Sequence, residues 1–73
     1  MKLLRNDYTA NARPRTGYHD FEIVIEFEGE SPEERSGAAK ALVAVYQKSS
    51  MWCTVAHADA TTLIIHHGYD SGD

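Results

Sequence analysis

Between Asp20 and Glu28 the chain alternates with a period of two. Phe21, Ile23, Ile25 and Phe27 occupy one set of positions, and Glu22, Val24, Glu26 and Glu28 the other. Successive side chains of a strand point to opposite faces, so this segment predicts a β-strand with one buried face. Its opposite face presents carboxylates to water. Gly29 ends it, and the remainder of the chain must supply a cover for the apolar side.

The cover comes next in sequence. In Ser31-Pro32-Glu33-Glu34, Ser31 can cap the free amides of a first helical turn, Pro32 suits the first helical position, and Glu34 stands three residues after the cap. Ala38, Ala39, Leu42, Val43 and Tyr46 then fall on one side at helical spacing. Lys48 suits the negative end of the helix dipole, and Ser49-Ser50 break the pattern. Gly37 costs about 1 kcal/mol relative to Ala inside a helix; a small residue permitting close packing on the sheet is the expected compensation.

Residues 51–57 and 61–67 read as a hairpin around Ala58-Asp59-Ala60. With His57 facing Thr61, Val55 lies opposite Leu63 and Cys53 opposite Ile65 on the side that meets the helix. The other side pairs Trp52 with His66 and Thr54 with Ile64. The expected fold class is therefore α+β, a three-stranded sheet in β-α-β-β order packed on one helix in two layers. Parallel and antiparallel arrangements of the strands both fit. The domain is expected over 18–68, with a flexible tail at 69–73. Residues 1–17 show no sustained period and contain Asn6, Asn11, Pro14 and Gly17, so they read as a flexible basic arm. A short edge strand at Lys2–Arg5 is the alternative.

Seventy-three residues hold one domain, which buries only about 60% of the surface its unfolded chain exposes. That leaves little room for a core together with a deep, preorganised pocket, and it weighs against an enzyme. The net charge of −4 is unevenly spread. Residues 1–17 carry four cations against one carboxylate. The rest carries three cations against ten carboxylates, seven of them between Asp20 and Glu34 with no base among them. Cys53 is the one cysteine, so an internal disulfide is excluded and a reducing compartment fits. No apolar run reaches the length of a membrane span, and the opening residues lack the apolar region of a secretory signal. No membrane association is expected.

The residues that could carry chemistry do not converge. His66 and His67 are neighbours on a strand and point to opposite faces, so they do not share a metal ion without a bulge. Cys53 and His67 could approach across the hairpin, yet a nucleophilic thiolate needs exposure and an activating environment, and Cys53 is expected among apolar neighbours. No cofactor and no metal are expected. The candidates for partner binding are Glu22 and Glu26 on the open strand face, Arg13 and Arg15 on the arm, and Trp52 with Ile64 on the uncovered face of the hairpin. For Glu22 and Glu26 the alternative is a merely solvated face, and for Trp52 it is a place in the core. Four cations on an arm of an acidic body make nucleic acid at most an accessory contact.

The opening residues, Met1-Lys2-Leu3-Leu4-Arg5-Asn6-Asp7-Tyr8 through Arg13-Pro14-Arg15-Thr16-Gly17-Tyr18, together with the chain length, resemble the small RNA-polymerase-binding transcription regulators of lytic Xanthomonas phages. The resemblance covers the whole chain and carries no diagnostic motif, so it assigns no residue a role. It implies a protein of the host cytoplasm that docks on bacterial RNA polymerase at the N-terminal region of the largest subunit and the adjoining flap region. Such a protein would displace the σ factor, inhibit σ-dependent initiation and promote read-through of terminators, as a monomer. The alternative function is an acidic, nucleic-acid-mimicking inhibitor of a host defence nuclease complex.

Overall fold

The computed structural model describes residues 1–9 and 17–71. Its elements are β1 (Lys2–Thr9), β2 (Tyr18–Glu26), α1 (Pro32–Gln47), β3 (Trp52–Ala58) and β4 (Thr62–Asp70). The four strands form one antiparallel sheet in the order β1-β2-β4-β3. The last strand in sequence thus lies between β2 and β3. The helix carries the chain across the position that β4 fills. Among the described residues no helix is long and apolar enough to cross a membrane.

The alternating segment behaves as its pattern demands. Ile23, Ile25 and Phe27 are buried together with Leu63 and Ile65, and Ala38, Ala39, Leu42, Val43 and Tyr46 of α1 pack against them with Cys53. Ile23 faces Ile65 and Ile25 faces Leu63 in the central pair of strands. Side chains as fully buried as these contribute about 1.5–3 kcal/mol each. The helix begins with the expected reciprocal cap: the Ser31 hydroxyl accepts from the Glu34 N–H at 3.2 Å, and the Glu34 carboxylate accepts from the Ser31 N–H at 3.0 Å. Gly37 departs from expectation. A Cβ there would meet nothing within 4 Å, so close packing is not the reason for a glycine.

The sheet has four strands, not three, because residues 2–9 are part of it. Read from sequence as part of a flexible arm, they form β1, which pairs with β2 from Lys2 opposite Glu26 to Thr9 opposite Asp20. The alternative reading, an edge strand at Lys2–Arg5, named the right element but too short a one. An edge strand exposed on both faces needs no apolar alternation; its backbone bonds and contacts such as the edge-on packing of Tyr8 on Phe21, with centroids 5.2 Å apart, hold it instead. Residues 10–16 of the expected arm, and Gly72 and Asp73 of the expected tail, lie outside the described residues. Tyr69 and Asp70, also read as tail, continue β4 and pair with His19 and Tyr18.

From Trp52 to Val55 the hairpin register is offset by two residues from the expected one, and His57, expected opposite Thr61, faces Ile64, an offset of three. Val55 faces Ile65, Cys53 faces His67, Thr54 faces His66 and Trp52 faces Gly68, with an irregularity between Val55 and His57. The turn sets this register. The Asp59 carboxylate accepts from the N–H groups of Thr61 and Thr62 at 2.8 and 2.7 Å, and the Asp59 N–H donates to the Thr62 carbonyl. Because the offset from Trp52 to Val55 is even, each of these residues keeps its predicted face.

Candidate functional site

The sheet face away from α1 carries the residues that the sequence offers for partner binding. Glu22 stands at its middle, opposite Asp7 of β1 and His66 of β4. Its carboxylate accepts from the Arg5 guanidinium on one side, and lies 2.9 Å from His66 Nε2 on the other. These two contacts, His66 first, hold the carboxyl below its ordinary range. Glu22 is therefore a cross-strand brace that ties β1 to β4 through β2, not a carboxylate waiting for a base on another molecule. Val24, the next residue on this face, is 8% exposed. Arg5 on one neighbouring strand and Ile64 on the other flank it.

Glu26 differs from Glu22. It is exposed, sits opposite Lys2 and Thr62, and forms no ion pair among the described residues. Trp52 is half-buried: its ring lies over Gly68 and meets Tyr18 edge-on, with centroids 5.6 Å apart. It belongs neither to the core nor to a patch with Ile64. Ile64 is half-buried beside Val24 and His57. Four residues along β4 separate it from Gly68, about 13 Å at the usual rise per residue. The structure thus separates the two residues that the sequence register placed together. Arg13 and Arg15 lie outside the described residues.

Beyond Glu26 the carboxylates gather where β2 leaves the sheet and α1 begins. The amino group of Met1 reaches Glu28 at 3.2 Å and also pairs with Glu30. That amino group, followed by the Glu28 N–H, pulls the Glu30 carboxyl down to about 2. Glu34 is occupied by the helix cap, whose bonds from Ser31 lower its carboxyl. Glu33 is exposed and, like Glu26, forms no ion pair among the described residues. This end of the molecule keeps an open negative surface even after its internal pairs are counted.

The helix-covered face holds a row of rings. Tyr46 and Phe21 pack against His67 with centroids at 4.6 and 5.1 Å, Phe21 meets Tyr8 and Tyr69, and Tyr69 stacks on His19 at 4.7 Å. His67 is 8% exposed. Its Nδ1 lies 3.1 Å from the Ser50 hydroxyl, while Nε2 has no partner among the described residues. Burial lowers the imidazole's affinity for a proton. It also pushes the Cys53 thiol up. Cys53 faces His67 directly across the hairpin, yet a raised thiol is the opposite of what an activated nucleophile requires. The pair is a packing contact. Among the described residues no three His, Cys, Asp or Glu side chains gather as metal ligands.

Sequence reasoning missed the Arg5–Glu22–His66 brace because it left Arg5 on a mobile arm. The signal was present as two charge blocks of opposite sign, Lys2 and Arg5 in one and Glu22 and Glu26 in the other. Comparison with known proteins gives no match to a family model, a curated protein or a solved structure.

Proposed function

We propose that this chain is a phage-type transcription regulator that binds host bacterial RNA polymerase, inhibits σ-dependent initiation and promotes read-through of terminators. It acts by occupying a surface and not by catalysis, which suffices to displace a factor that shares that surface. The observation that carries the reading is the open carboxylate end of the fold, where Glu26 and Glu33 are exposed without ion-pair partners among the described residues. A fixed negative surface of this kind meets basic protein surface and speeds association with it. The resemblance of the opening residues directs the proposal to polymerase, at the N-terminal region of the largest subunit and the flap region, in the cytoplasm of the bacterial host. Nucleic acid is an accessory contact at most.

The test uses purified Xanthomonas RNA polymerase, with and without its primary σ factor. Binding is followed by biolayer interferometry, and promoter-dependent and terminator-spanning transcripts are counted in the same mixtures. The parent chain should bind, reduce initiation and lengthen transcripts past the terminator. The double variant Glu26→Lys with Glu33→Lys should keep its melting temperature within the scatter usual for exposed substitutions and bind about tenfold more weakly. No binding of the parent to polymerase would overturn the function. Undiminished binding of the double variant would overturn the assignment of the acidic end.

A further inference from the structure

We infer that β1 is a self-association edge, through which two copies of this chain join their sheets. The expectation from sequence was a monomer with residues 1–17 as a flexible arm. With β1 in the sheet, the sheet instead ends in a strand that is hydrogen-bonded on one side alone among the described residues. An edge strand presents unpaired N–H and C=O groups, and proteins that do not use such an edge blunt it with bulges, charges or a cover. The other edge, β3, has an irregularity in its middle, between Val55 and His57. In β1 the irregularity falls near the start, between Leu3 and Arg5, and leaves Arg5–Thr9 regular. The helix packs over β3 and β4 and does not cover β1. Among the described residues, half of the large apolar side chains that stand exposed, Met1, Leu3, Leu4 and Tyr8, are on or beside this strand, at 50–59% exposure.

The strand's own chemistry argues that a second copy fits it. If two β1 strands run antiparallel about a two-fold axis through Asn6, in the regular part of the strand, each Arg5 faces Asp7 of the second copy, beside the Glu22 and Asp7 that it meets within its own chain. Opposite charges on facing positions are among the pairs that stabilise a sheet. The contact is isologous, so it closes at two copies and builds no fibre. Charge selects the same side. Each copy carries −4, but β1 holds Lys2 and Arg5 against Asp7, so two acidic molecules approach there without a clash of like charge. The product is a continuous eight-stranded sheet with both helices on one face.

Sedimentation equilibrium of the full chain, from micromolar to near-millimolar concentration, reads the result. The parent should pass from the single-chain mass to twice that mass. Arg5→Asp and Asp7→Arg each place like charges on facing positions and should remain at single mass. An equimolar mixture of the two variants should recover the double mass, since the acids of one strand then face the bases of the other. Recovery is not explained by a loss of fold in either variant. A second variant leaves the charges untouched: Asn6→Cys, mildly oxidised with oxidised glutathione, should give a cross-link between the two residue-6 sulfurs, mapped by mass spectrometry. Facing residues of an antiparallel pair lie about 4.5–5.5 Å apart at Cα, within the range a disulfide spans. A parent that stays at single mass at its highest soluble concentration overturns the inference. So does a mixture no heavier than its components, or a cross-link that involves Cys53 alone.

Discussion

Replacing Gly68 by Ala tests how closely the second and fourth strands and Trp52 are fitted together. Gly68 is buried on β4, and its φ is not positive, so the constraint is space and not backbone torsion. A Cβ at this position would lie 2.3 Å from the His19 carbonyl oxygen and 2.5 and 2.8 Å from two ring atoms of Trp52. The ring can turn aside, at the loss of its packing on Tyr18. The carbonyl belongs to the backbone of β2 and moves only with the strand. Overpacking in a well-filled site costs about 1–3 kcal/mol, and a backbone obstacle belongs to the upper part of that range. Restricting the unfolded chain by Gly→Ala returns about 0.4–1 kcal/mol. The net loss is about 2 kcal/mol, out of a total of about 4–11 kcal/mol for a chain of this length. In a domain this small, that lowers Tm by about 8–16 °C. Thermal melts by circular dichroism read the shift. Urea titrations establish that the slope, and hence the surface exposed on unfolding, is unchanged. Repeating the substitution in a Trp52→Leu background separates the two obstacles, and most of the loss should persist because the carbonyl is still there. A Gly68→Ala protein within about 0.5 kcal/mol of the parent would show that the strands and the ring have room for the added carbon, since that is the ordinary scatter of harmless substitutions.

Ser31→Ala removes the hydroxyl that accepts from the Glu34 N–H and leaves the backbone N–H of residue 31 to the Glu34 carboxylate; it should cost about 1 kcal/mol, seen as a Tm lower by about 4–8 °C, while Ser31→Asp should retain most of the parent's stability. Gly37→Ala should do the reverse: nothing stands within 4 Å of the added carbon, so the substitution should raise stability by about 1 kcal/mol in the same assay. His67 gives a pH dependence. Its folded-state pKa is below the ordinary 6.5 because of burial, so the unfolded chain takes up the proton first; stability is complete above 6.5 and falls as pH drops from there through the folded value. Urea midpoints at pH 7.5 and 5.5 should differ in that direction, and His67→Phe, which keeps a ring between Phe21 and Tyr46, should flatten the slope. A separate loss below 4.5 is expected from Glu22, Glu30 and Glu34, whose carboxyls are all lowered in the folded state.

Local pattern along the chain is enough to specify β2 and α1, and with them the core. Strict alternation from Phe21 to Phe27 and helical spacing from Ala38 to Tyr46 are local signals, because each records which face of one element is hidden from water. The cap at Ser31 is equally local, with donors and acceptors three residues apart. Long-range contacts make Lys2–Thr9 a strand, hold Glu22 between Arg5 and His66, and place Trp52 over Gly68 instead of beside Ile64. Each of those depends on the pairing of residues far apart in the chain. An edge strand is held by its neighbour's backbone, which leaves no period in its own side chains. The hairpin register was fixed by bonds from the Asp59 carboxylate and by one irregularity: from Trp52 to Val55 an offset of two positions preserves the faces while changing the neighbours, and at His57 an offset of three turns the side chain to the other face. Periodicity therefore recorded the faces, and long-range hydrogen bonding chose the partners.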